Sequence, residues 1–108
     1  MVAWPVHSQA QQSFAGPTEF KSVILGKTMT STTSKGQPFT AMIKAGGTGD
    51  FQIQGKPLEH FRWKFTGNTF CWTFPYLTEC SHVEIANSNA VNFFEVKSGK
   101  LNNAYSLK

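Results

Sequence analysis

The chain has 108 residues, which suffices for one domain with one core but not for two. Charged residues make up only 15%, while Phe alone occurs ten times, a composition that excludes disorder and suits strands better than helices. Lys plus Arg exceed Asp plus Glu by ten to six, but the excess is scattered as solvated charge, so nucleic acid is not an expected partner; no apolar run is long enough for a transmembrane segment.

Residues 1–12 read as a leader remnant or a disordered tail, and residues 13–108 as one domain. Ser8-Gln9-Ala10 has the small-x-small pattern that ends a secretory signal, and residues 2–6 fit the remnant of its apolar segment. A mature chain would then start near Gln11. The alternative is a short tail without meaning.

Residues 16–26 predict a short helix. Phe20, Val23 and Ile24 share one stripe, Thr18 suits the cap and Gly26 suits the exit. Two turns of helix are marginal alone and must pack on a sheet. Everything after Gly26 reads as strands and turns. Residues 27–33 form a Thr-rich strand near an edge, followed by a turn over 34–37. Residues 39–45 put Phe39, Ala41 and Ile43 on one side. After the Gly-rich turn 46–49, Phe51 and Ile53 alternate inward, and 55–57 break the strand.

Two aromatic runs follow, residues 61–66 and 69–74, joined by Gly67-Asn68. Gly at the first central position is what a type II′ hairpin turn requires. That turn pairs Phe65 with Phe70, Trp63 with Trp72 and Phe61 with Phe74, so six rings share one face. Arg62, Lys64, Cys71 and Thr73 share the other. Residues 74–78 form a connecting loop, Phe-Pro-Tyr-Leu-Thr. Residues 80–85 place Val83 and Ile85 on one face with His82 and Glu84 on the other. Residues 90–96 place Val91 and Phe93 inward, and 103–107 close the sheet.

The predicted fold class is therefore all-β: an antiparallel up-and-down meander of about eight short strands after one short helix. Curling into a small barrel or half-barrel buries the aromatic face and removes exposed edges. The alternative is a flat sheet that buries this face in a homodimer.

Cys71 and Cys80 lie nine positions apart, a spacing with no metal motif and no His pair nearby. In an exported chain they form a disulfide across two neighbouring strands; in a cytosolic one they would remain half-buried thiols.

The order of parts resembles small exported bacterial proteins with a lipocalin-like barrel, including families of unknown function. The residues that carry this are Gly26-Lys27-Thr28, Gly47-Thr48-Gly49, Trp63, Cys71 and Cys80, within residues 18–100. The resemblance implies an exported barrel module, periplasmic or secreted, and supplies no catalytic residue. The chain is much shorter than true lipocalins and has no Gly-x-Trp near its start, so a roomy cavity is not implied.

The aromatic ladder suits a flat or greasy ligand or a glycan, although in a small barrel such rings usually fill the interior. His60 and His82 share the outer parity with Arg62, Lys64 and Glu84, a surface suited to acid–base work or to plain solvation. No nucleophile accompanies them, the carboxylates are dispersed, and the Gly-rich turn lacks the Lys and helix of a phosphate loop. No catalytic residue, metal ligand or cofactor is therefore assigned. The expected ligand-binding residues are Trp63, Trp72, Phe74, Tyr76 and His60. The Pro75-Tyr76-Leu77 tip is either a contact site or a lid over the barrel end. Three functions follow as expectations: a non-enzymatic cell-envelope module binding a small hydrophobic or aromatic ligand or a glycan; a small-barrel enzyme with a His general base; or a structural homodimer.

Overall fold

The structure, a computed structural model, describes residues 14–108, so the leader assignment lies outside the described residues. One helix, α1 (Pro17–Ile24), precedes eight strands. These are β1 (Thr28–Thr32), β2 (Pro38–Lys44), β3 (Thr48–Ile53), β4 (Glu59–Thr66), β5 (Thr69–Phe74), β6 (Leu77–Asn87), β7 (Ala90–Glu95) and β8 (Leu101–Leu107). Each strand pairs antiparallel with the next, and β8 returns to β1, giving a closed up-and-down barrel. Closure leaves no long unpaired edge, which answers the problem that an aromatic sheet poses.

The aromatic hairpin has the register that its turn chemistry predicts. Thr66 faces Thr69, Phe65 faces Phe70 and Trp63 faces Trp72. Gly67 sits at φ 61° while no residue other than glycine has positive φ among the described residues, so the turn is type II′ rather than I′. The Phe61 and Phe74 ring centroids lie 5.3 Å apart.

Two local expectations differ. Thr18 does not cap α1: Pro17 opens the helix, Gly16 is the cap residue, and no side chain closes the end. Pro at the first position supplies the helical φ and lacks an N–H that would need a partner. The connector after β5 is also shorter than residues 74–78. Phe74 pairs with Leu77, leaving only Pro75-Tyr76 as the turn, and β6 begins at Leu77 rather than near Cys80. The sequence Pro-Tyr-Leu looks like a loop, but the ladder hydrogen bonds available to residues 77–79 outweigh that local preference.

The helix plugs one end of the barrel. Phe20 and Ile24 are fully buried. The Phe20 ring packs on Trp63, Phe65 and Phe70, with centroids 5.8, 4.8 and 4.9 Å away. The backbone seals the same end: Ala15 N–H donates to Val83 O and Gly26 N–H donates to Ile43 O. Inside, Phe70, Phe93, Met29, Ile43, Val83 and Val91 are fully buried. Each fully buried side chain of this size contributes roughly 1.5–3 kcal/mol. Gly49 makes room for the core: it lies opposite Phe61, whose ring rests against its backbone. Cys71 and Cys80 stand directly opposite each other on the outer face and form a disulfide.

Candidate functional site

The strands run alternately towards and away from α1, so four turns gather at the opposite end. They follow β1, β3, β5 and β7. Among the described residues, no helix covers this end. It opens into a cavity of about 200 Å³ whose walls include Phe39, Phe51, Trp72, Phe74, Tyr76, Tyr105, Glu79 and Asn103.

Strand parity places these wall residues, except Tyr76, which comes from the β5–β6 turn. Phe39 from β2 and Phe51 from β3 pack with centroids 5.0 Å apart. Phe74 meets Phe51 edge-on at 5.4 Å and stacks on Tyr76 at 5.7 Å. Trp72 and Tyr105 form the floor, buried, with their rings nearly perpendicular at 6.5 Å.

Glu79 is the unexpected member. It lies opposite Trp72 in the β5–β6 ladder, so it shares the inward face. Its Oε1 accepts a hydrogen bond from the Trp72 indole N–H at 3.2 Å. A second carboxylate stands at the rim, where Tyr76 donates its hydroxyl to Glu59 Oε1 at 2.6 Å. That hydrogen bond, with partial burial and the charges of Glu59 and Glu79, pushes the Tyr76 hydroxyl up to about 12. Burial first, then the Glu79 charge, also raises the Tyr105 hydroxyl well above the usual tyrosine range. Both phenols thus stay protonated, and the mouth combines ring faces with carboxylate charge.

The expected binding residues divide. Trp72, Phe74 and Tyr76 meet at the mouth. Trp63 shares their face but sits at the plugged end, where its indole N–H reaches the carbonyls of Lys44 and Thr48, each at 2.9 Å. It packs against Phe20 and fastens the β2–β3 turn. His60 stands outside the barrel, three-quarters exposed, with Nδ1 2.7 Å from Asp50 Oδ1. Lys44 Nζ lies 2.7 Å from the other Asp50 oxygen. Hydrogen bonds from Lys44 and then His60 hold the Asp50 carboxyl below the usual carboxylate range. This trio borders an open outer groove of about 570 Å³ with Arg62 and Thr73. His82 is separate again, stacked on Phe14 at 4.7 Å, with Nδ1 3.0 Å from Asn68 O. Among the described residues, no three of His, Cys, Asp and Glu gather closely enough to hold a metal ion, and no helix is long and apolar enough to cross a membrane.

Sequence reasoning missed Glu79 and Tyr105. The signal for Glu79 was present in the cysteine pairing. If Cys71 faces Cys80, one step along the ladder puts Glu79 opposite Trp72. Starting the strand at Cys80 ended the ladder before that step.

Comparisons with protein-family models, with curated proteins and with solved structures find no match to this chain.

Proposed function

We propose that this chain is a non-enzymatic binding module that takes a small ligand into the open mouth of its barrel. The carrying observation is the asymmetry of the two ends. One end is plugged by Phe20 and Ile24 of α1, while the other opens into an aromatic cavity floored by Trp72 and Tyr105. Convergent rings with a few polar groups make up the usual chemistry of a ligand cavity. About 200 Å³ is below the usual range for drug-sized ligands, roughly 300–1,000 Å³, so the occupant is small. The outer-face disulfide supports an oxidising compartment. Together with the lipocalin-like order of parts, it supports a periplasmic or secreted protein.

The test is a titration with small neutral aromatics, monosaccharides and ammonium compounds, read by amide and indole NMR shifts. Binding should move Trp72, Tyr105 and Phe51 signals and leave Val83 and Val91 unmoved. A folded protein whose mouth signals respond to no compound refutes the proposal.

One observation favours a second function, an enzyme with His60 as general base. Asp50 holds the imidazole from one side, as an orienting carboxylate does in acid–base sites. His60→Ala distinguishes the two: it abolishes turnover in an enzyme but leaves ligand shifts at the mouth unchanged.

A further inference from the structure

The geometry points to a small organic cation, an ammonium compound, as the occupant of the mouth; this deepens the proposed function and rests on it. Three features of the cavity converge. The walls are ring faces and edges from Phe51, Trp72, Phe74 and Tyr105. Rings around a small volume attract a cation through their quadrupoles, most strongly where water is excluded. Glu79 borders the same cavity from an exposed position at its mouth, and only its Oε1 meets the Trp72 indole. A carboxylate has lone pairs beyond that one bond, and its charge is only partly answered by a neutral N–H.

The charge also has a direction. Glu79 acts on both tyrosines, and Glu59 stands beside Tyr76 at the rim. Negative charge therefore lines the mouth of the cavity, with Glu59 and Glu79 both beside its rings. A neutral apolar occupant would cover Glu79 without compensating it, and an anion would be repelled. A cation satisfies both the carboxylate and the ring faces. The exposed lysines of the surrounding turns, Lys35, Lys56, Lys97 and Lys100, do not line the cavity.

Choline and its neutral isostere, 3,3-dimethyl-1-butanol, have matching shapes and differ in charge. Each is titrated into the whole chain and read by NMR shifts at the mouth. Choline should bind about tenfold more tightly than the alcohol, a difference of about 1.4 kcal/mol. Glu79→Gln should remove most of that preference while leaving the alcohol unchanged. Glu84→Gln, on the outer face with Asn92, should leave both unchanged. Thermal melts confirm that each variant is folded. Equal binding of the two compounds refutes the cation but leaves a mouth ligand standing. A preference for choline that survives Glu79→Gln places the cation elsewhere and also refutes it. If neither compound moves the mouth signals, the cation is refuted, and the wider titration decides whether any ligand enters there.

Discussion

Gly49 shows how one residue lets the interior close. A Cβ built there would stand 2.1 Å from Phe61 Cζ and 2.7 Å from Met42 O. Phe61 is itself locked between Trp72 and Phe74, and the Met42 oxygen belongs to the backbone, so neither can move aside cheaply. Gly49→Ala should therefore lose about 2–3 kcal/mol, measured by urea unfolding. Adding Phe61→Ala should recover part of that loss; two strictly additive losses would show that the contact is not the cause. At the mouth, the protein's two tyrosines provide a second prediction. Both hydroxyls are held above the ordinary value near 10, Tyr76 to about 12 by its bond to Glu59 and Tyr105 chiefly by burial. The folded state keeps these protons where the unfolded chain has lost them. Their stabilising contribution is therefore full below pH 10 and declines as pH rises towards 12. Phenolate absorbance of the native protein should stay low at pH 10.5, whereas the urea-unfolded chain is more than half ionised there. Glu59→Gln should bring Tyr76 back towards 10. A native protein that shows half its phenolate signal near pH 10 would lack the Tyr76–Glu59 bond in solution.

Among the elements, the closing seam differs from the other seven pairings. β1 and β8 share two register pairs, Met29 with Leu107 and Thr30 with Ser106, whereas β1 and β2 share five. Thr28 and Lys108 exchange backbone bonds beyond them, so the seam is fastened at the plugged end. Towards the mouth the two backbones part, and the Ser31 hydroxyl spans the gap, 2.7 Å from Ala104 O and 2.5 Å from Asn103 Oδ1. Ser31→Ala should cost about 1 kcal/mol. It should also speed amide exchange at residues 30–32 and 103–106 without touching β4–β6. Uniform loss of protection would mean that the seam opens only with the whole barrel. The elements themselves were largely legible in the sequence, because alternation with period two is strong where one face is aromatic and the other charged. The β4–β5 hairpin shows this best, since its turn residues and its alternation specify the same register. Where local chemistry and pairing disagree, as at Pro75-Tyr76-Leu77, the sequence read alone gives the wrong boundary. The candidate site was harder to see than the fold. Its Trp72, Phe74 and Tyr76 belong to one continuous stretch, but Glu79 depends on the register of β6 and Tyr105 on the closure of β8. His60 and Trp63 are adjacent to the ladder in sequence but depart from the mouth in space, one through parity and the other through distance along the strand.

For the whole molecule, closure means that the aromatic face is buried within a single chain. Phe61, Phe70, Trp72, Phe74, Phe93 and Tyr105 are all buried without a second copy. Folding should then not depend on association, and the urea midpoint should stay constant between about 1 and 100 μM protein. A midpoint that rises with concentration would instead indicate the structural dimer. The disulfide contributes at the same scale, since it restricts the unfolded chain rather than adding a core contact. It joins the middle of β5 to the first half of β6 and closes a short loop, for which chain entropy gives about 2–3 kcal/mol. The loop is short because the bridge spans a hairpin, so the barrel's long-range pairing does not require it. Ladder bonds on both sides of Cys71 and Cys80 hold the same register. The double variant Cys71→Ser with Cys80→Ser should therefore fold to the same barrel, with an unchanged near-ultraviolet aromatic spectrum. It should melt about 10–15 °C lower. An unaltered melting temperature would show that the unfolded chain already keeps this hairpin closed. Loss of the aromatic spectrum would show that the bridge is needed to set the register of β6, and with it the inward placement of Glu79.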